Sequence, residues 1–161
     1  MPTPAYMTLT DDQGNAITGS VQIAGREGQV EVMEMHHDIR IPTDAHTGQL
    51  RGVRMHNPVR IIKQFDAASP YLYKACCEGQ TYANVQIDWY RIDDTGTEVI
   101  YFTHTLEQVK ISSVRAYMPN SKEPSKEALP HLEEVAFVYG KITWGYTDGN
   151  LEYTDAWTGA R

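Results

Sequence analysis

The segment Ala83 to Asp93, ANVQIDWYRID, alternates apolar and polar residues from Ala83 to Trp89. Successive side chains on a strand point to opposite faces, so Val85, Ile87 and Trp89 share one face and their polar neighbours take the other. The next residues, DDTGTE, have the composition of a tight turn, and a second β-rich run, VIYFTHTLEQVKISSVRAYM, follows at once. Two such runs joined by such a turn read as a β-hairpin. A chain with a hairpin this long at its centre must bury the apolar face of a sheet.

Other segments repeat the pattern. AYMTLT opens as a strand, SVQIAGREG reads as a short strand and loop, and QVEVMEMHHDIRI reads as one long strand ended by Pro42. PTDAHTGQLRG is a loop by its Pro, Thr, Asp and Gly content. VRMHNPVRIIKQF is a further strand in which Pro58 points to an edge or a bulge. PNSKEPSKEALP is a polar loop, and HLEEVAFVYGKITWGYTD is the last strand region. The tail GNLEYTDAWTGAR keeps Tyr153 and Trp157 and so is expected to be ordered. The one helix is SPYLYKACCEG, with Ser69 as its cap, Pro70 in its first turn and Gly79 closing it in a left-handed conformation. At two to three turns it depends on docking to the sheet. The expected class is all-β, a two-sheet barrel or sandwich with one short side helix. The 161 residues suit one domain, 1–161.

In the last strand region Leu132, Ala136, Val138, Ile142 and Trp144 fall on one face and Val135, Phe137 and Tyr139 on the other. A one-sided sheet carries polar residues on its outer face. Apolar residues on both faces call for a second cover, and a neighbouring subunit supplies one. Val135, Phe137 and Tyr139 are therefore candidates for a subunit interface.

The net charge of −7 argues against binding to nucleic acid or anionic lipid, and no apolar run is long enough to cross a bilayer as a helix. The N-terminal MPTPAYMTLTDD lacks a basic start and an apolar core, so no secretory signal is expected and the cytoplasm is the default location. Cys76 and Cys77 are adjacent, too close for an ordinary disulfide, and no zinc spacing is present. They read as small apolar side chains on the helix.

The stretch EVMEMHHDIRIPTD invites an active-site reading. On a strand, however, His36, Asp38 and Arg40 face one way and His37, Ile39 and Ile41 the other, so the two histidines do not share a ligand. No zinc-protease, facial-triad or serine-hydrolase motif is present, and His56 falls on a polar-leaning face with Arg54 and Arg60. No catalytic residue, metal or cofactor is expected.

Read together, REGQVEV, IPTDAHTGQLRGVRMHNPV, SPYLYKA, VQIDWYRID, EVIYFTHTLEQVKI and HLEEVAFVYGKITWGYTDGN resemble, in order and spacing, the Hcp family of bacterial type VI secretion. The best matching pieces are the IPTD loop, SPYLYKA, the WY…D..G hairpin and the closing Y.KITW.Y.DG. The resemblance implies a non-catalytic β-barrel that closes into a hexameric ring. Rings stack into the inner tube of a contractile machine, wrapped by a sheath, tipped by the VgrG spike and expelled without a signal peptide. Effector proteins can ride in the lumen and be protected there. The chain ends soon after the last matching segment, so no toxin domain is expected. A phage-like tail-tube protein is the nearest alternative. A ligand-binding β-sandwich or a His/Asp hydrolase stands further off.

On this reading the loop from Pro42 to Gly52 is the first candidate for ring-to-ring contact, through Pro42, Thr43, Asp44, His46, Thr47, Gly48, Gln49 and Leu50. The hairpin tip Asp93, Asp94, Thr95 and Gly96 is the second, together with the tail at Trp157, Thr158 and Gly159, on the opposite ring face. His36, Asp38 and Arg40 are candidates to face the channel or a neighbouring subunit.

Overall fold

The computed structural model describes residues 3–158. The alternating runs become β8 (Thr81–Ile92) and β9 (Glu98–Tyr117), paired antiparallel with Val85 opposite Leu106 and Ile87 opposite His104. The turn between them is held by Asp93, whose carboxylate accepts the Thr95 and Thr97 amides at 2.9 Å, and by Gly96 at φ 84°. β1 (Ala5–Asp11) pairs with the other edge of β8 and with the two-residue β2 (Ala16–Ile17). Beyond β9 lie β10 (Leu132–Val138) and then β7 (Val59–Gln64). β11 (Lys141–Tyr146) pairs with the first half of β9, and β12 (Leu151–Ala156) pairs with β11, so Tyr153 and the tail as far as Ala156 are ordered as expected.

The expected long strand after Gln29 is three pieces. β3 (Val30–Val32) pairs with β1, and β4 (Glu34–His36) pairs with β7 at the far side of the same sheet. This run crosses from one end of the sheet to the other and brings the sheet round on itself, and the bend at Met33 is the corner. Past His37 the chain leaves the sheet. β5 (Ile39–Arg40) and β6 (Met55–His56) form a separate two-stranded sheet, and Asn57 and Pro58 divide β6 from β7 where one strand was expected. The expected strand in SVQIAGREG is a loop. The Arg26 guanidinium straps it down, 3.8 Å from the Tyr90 ring and 5.0 Å from the Tyr6 ring, and pairs with Glu98 at 2.8 Å.

Helix α1 (Ser69–Glu78) has its proline in the first turn and Gly79 at φ 64° closing it. Ser69 is not its cap: Ala68 holds that position, and the Ala68 amide goes to the Asp66 carboxylate at 3.0 Å. The Ser69 hydroxyl is drawn instead into a buried cluster. It donates to Glu133 at 2.7 Å and accepts from Lys63, whose ammonium also reaches Asp66 at 2.8 Å and Glu133 at 2.5 Å. Lys63 and Glu133 are wholly buried, so this ion pair ties the start of the helix to β7 and β10. Leu72 and Ala75 dock on the core, Cys76 packs beside it, and Cys77 is exposed.

The core gathers Met7, Leu9, Val59, Ile61, Val85, Ile87, Leu106 and Phe137, all fully buried. It also corrects part of the two-faced reading of the last strand region, although Leu132 and Ala136 on the other face of β10 are buried as well. That region breaks at Tyr139 and Gly140, where the Gly140 amide bonds to the Glu107 carbonyl and Gln108 takes φ 54°. A Cβ on Gly140 would lie 2.4 Å from Gln108 Oε1 and 3.1 Å from Gln108 Cβ, so a larger residue there would make the Gln108 side chain move. The break shifts the alternation by one residue. Val135, Phe137 and Tyr139 before it and Ile142 and Trp144 after it therefore face the same core.

Candidate functional site

Residues 38–57 form an arm that stands off the main sheet. Its tip is a tight structure made by Asp44, whose carboxylate accepts the His46 and Thr47 amides at 2.8 and 2.9 Å and pairs with Arg51 at 2.7 Å. Those amide bonds, Thr47's first, hold the Asp44 carboxyl below the usual carboxylate range. Thr43 bridges Leu50, the Arg51 amide bonds to Pro42, and Gly48 closes the turn at φ 71°. Around this frame Ile41, Leu50, Val53 and Met55 stand in solvent, Leu50 with two-thirds of its surface exposed. Of the proposed loop contacts, Thr43, His46, Thr47, Gly48, Gln49 and Leu50 are exposed, and Pro42 and Asp44 are half-buried.

The arm's small sheet pairs with no strand of the large one. Side chains join them. Asp155 on β12 accepts two bonds from Arg54, Nε at 2.5 Å and Nη2 at 3.0 Å, and one from His56 Nε2 at 2.8 Å. The Arg54 bonds, helped by His56, push the Asp155 carboxyl down to about 2. An ionised carboxylate only accepts, so His56 Nε2 is the donor to Asp155, and His56 Nδ1 shares a 2.6 Å hydrogen bond with the Tyr139 hydroxyl. The same hydroxyl is hydrogen-bonded to His37 Nε2 at 2.9 Å. Trp157 stacks on the His56 ring at 5.7 Å and meets Tyr139 edge-on at 4.9 Å. His37 stacks on Trp144, and Trp144 on Tyr153.

Burial first, then His56, holds the His37 ring below its usual range, with Asp38 opposing. Burial first, then His37, pushes His104 down to about 4. Its Nδ1 accepts the Trp89 indole at 2.8 Å.

An Asp–His–Tyr chain resembles a proton relay, yet both ring nitrogens of His56 are occupied and its side chain is wholly buried. The group holds two parts of the molecule together and offers a substrate no open nitrogen. Among the described residues, no cluster of three His, Cys, Asp or Glu side chains could hold a metal ion.

The other expected site residues are scattered. Val135, Phe137 and Tyr139 lie in the chain's own core at 0, 0 and 4% exposure, which leaves a neighbouring subunit nothing to touch. The strand break at His37 parts the His36, Asp38 and Arg40 set. His36 belongs to the large sheet beside Arg60 and pairs with Glu34 at 2.5 Å, Asp38 accepts the Asn57 amide nitrogen at 2.8 Å, and Arg40 is on the small sheet. All three are exposed. Asp94, Thr95 and Gly96 are exposed at the β8–β9 tip. Trp157 is not beside them. It packs under the arm, near Lys141 and its partner Glu107, nine strand steps or roughly 30 Å along β9 from Glu98. Thr158 is exposed, and Gly159 lies outside the described residues. The sequence reading missed Arg54, His56 and Asp155 as a unit. About a hundred positions separate the partners, and only the fold brings them together.

A family model described as "Type VI secretion system effector, Hcp" matches residues 6–146. The "Major exported protein" of Pseudomonas aeruginosa PAO1 is 39% identical over 98% of this chain and 96% of its own length. Among solved structures, a mutant form of Hcp1 from Escherichia coli EAEC 042 is 45% identical, with a TM-score of 0.87 over 97% of this chain and 99% of that one. The secreted protein Hcp3 of Pseudomonas aeruginosa is 34% identical, with a TM-score of 0.80 over 98% of this chain and all of that one.

Proposed function

This chain belongs to the Hcp family and is a tube subunit of type VI secretion, and from that premise we propose that its projecting arm makes the contact between stacked rings. The observation that carries the reading is an apolar surface on a firmly tied frame: Ile41, Leu50 and Val53 are exposed on a turn held by Asp44 and Arg51. Exposed apolar side chains grouped on one projection mark a docking surface. At the other end of β7, Tyr6, Val21, Ile23, Glu31 and Phe65 line a cleft of about 370 Å³. An arm at one end and a cleft at the other suit a head-to-tail contact, which repeats along a column instead of closing.

In this reading six copies of the single domain 1–161 close a ring, and rings form a non-catalytic tube around a channel. A contractile sheath surrounds the tube, a VgrG spike tips it, and effectors travel in its lumen. Assembly precedes export and takes place in the bacterial cytoplasm. His36, Asp38 and Arg40 are exposed and available to the channel or to a neighbouring subunit. The β8–β9 tip at Asp93 to Gly96, with Asp94, Thr95 and Gly96 exposed and Asp93 half-buried, is a second point for stacking. Deleting Ala45 to Leu50 tests the arm. Rings by gel filtration should persist while tubes by electron microscopy, and secretion, are lost. Tubes and secretion that survive the deletion would remove the arm from the contact.

A further inference from the structure

We propose that the Arg54–Asp155–His56–Tyr139 cluster is a positioning lock, which sets the angle and stiffness of the arm so that it can engage the next ring. The inference rests on the reading of the arm as the stacking contact and adds the residues that make it competent.

The geometry leads there in three steps. First, the arm is joined to the barrel by chain at only two points, after His36 and before Val59, and its two-stranded sheet shares no backbone ladder with the large sheet. A hairpin tethered this way would swing about its base. Second, among the described residues bonds cross that gap from Arg54 and His56 on the arm side, with His37 at its root, and they converge on one carboxylate of β12 and one hydroxyl at the β10–β11 break. Arg54 also donates to the Ala156 carbonyl at 3.1 Å, so its guanidinium spans both the side chain and the backbone of β12. A bidentate arginine–carboxylate pair fixes orientation as well as distance, which a single bond does not. Third, Trp157 stacks against the His56 ring and its amide bonds to Gly140, so one side of the lock is walled by packed rings. An ordered base of this kind lowers the entropy lost when the arm docks.

Most of the lock is separate from the apolar surface it presents. Arg54 borders the cleft that Ile41 and Leu50 line, but Asp155, His56 and Tyr139 lie behind it at the base. A change at Asp155 or Tyr139 therefore leaves the docking surface chemically intact and alters only its placement. This distinguishes a positioning residue from a contact residue.

The test uses the full-length protein with Asp155→Asn and, independently, Tyr139→Phe, which keeps the ring packing and removes only the hydroxyl. Amide hydrogen exchange at Asp44, Gly48 and Arg51 should quicken about tenfold or more in Asp155→Asn, the factor that loss of one charge-assisted hydrogen bond is worth, and by a smaller factor in Tyr139→Phe, while amides of β8 and β9 stay unchanged. Rings should still form and tubes should be lost or shortened. Asp155→Glu, which keeps the charge, should restore tubes in part. The Ala45–Leu50 deletion runs alongside. If the deletion abolishes tubes but both lock variants stack normally with unchanged arm exchange, the lock inference fails and the arm reading stands. If the deletion leaves tubes intact, the arm reading itself fails. If both lock variants lose rings, or exchange quickens equally across β8 and β9, the cluster is part of the core and the inference is overturned.

Discussion

Two polar clusters stand inside this barrel, and they do opposite work. The Lys63–Glu133 pair is wholly buried and joins α1, β7 and β10, all parts of the barrel wall. The Arg54–Asp155–His56–Tyr139 cluster lies at the rim, with Asp155 and Arg54 still touching solvent, and joins the wall to something outside it. Desolvation sets the difference. A charge taken fully out of water must be paired or the structure fails, whereas a pair at the rim falls back on water when its partner goes. The inner cluster is therefore a requirement of the fold, and the outer one can be altered while the barrel survives. A protein built to stack needs that division, because ring formation and ring docking then respond to different residues.

The inner pair should give the largest effect. Lys63→Met leaves Glu133 as an uncompensated buried charge, and Glu133 Oε2 already has no hydrogen-bond partner among the described residues. Breaking a buried pair this way costs roughly 3–5 kcal/mol. Lys63→Met combined with Glu133→Leu should recover part of that loss, since the buried Glu133 charge is gone and Asp66, which also loses Lys63, keeps the Ala68 amide and some contact with water. Denaturant midpoints at fixed protein concentration will show it. A double variant as unstable as the single one would mean that the ion pair itself stabilises the fold.

Acid should act next, and on the outer side of the comparison. His104 is pushed down to about 4, and His37 is also lowered, chiefly by burial. A histidine whose pKa is lower in the folded state favours folding fully above its ordinary value near 6.5 and loses that contribution as the pH falls towards 4. For His104 the loss is at most about 3 kcal/mol, and protonation also takes the Nδ1 acceptor from the Trp89 indole. Melting temperature should fall between pH 6.5 and 4, and His104→Asn should flatten that slope. An unchanged slope in the variant would place the acid sensitivity elsewhere.

Much of this was legible in the amino-acid order, and the boundary of legibility has a physical cause. The alternation of Val85, Ile87 and Trp89 declared the central hairpin, and Pro70 with Gly79 bracketed the helix. Those signals are local. The phase shift at Tyr139 and Gly140 was not legible, because a one-residue irregularity looks in sequence like a strand that is apolar on both sides. The assignment of Val135, Phe137 and Tyr139 to an interface came from that ambiguity. The pleat put His37 on the face opposite His36, but its partner Tyr139 is 102 positions away. His56 and Asp155 carry no local sign of each other. Ser69 was misread as a cap because nothing near it in sequence announces Glu133, the partner that draws its hydroxyl away.

The smallest effect on stability, and the one that separates the two clusters most cleanly, is expected at the tip. Leu50 is 66% exposed, so Leu50→Asp removes little buried surface and should move folding stability by no more than about 0.5 kcal/mol. The same change puts a charge where the arm must meet apolar surface, and an unpaired charge is costly to desolvate in a contact. Rings of normal size and melting temperature that no longer stack would show that docking depends on the tip surface and folding does not. If Leu50→Asp melts early, the arm is part of the folding core and the division between inner and outer clusters is wrong. If it folds and stacks normally, the contact lies elsewhere, and the exposed β8–β9 tip at Asp94 to Gly96 becomes the next surface to change.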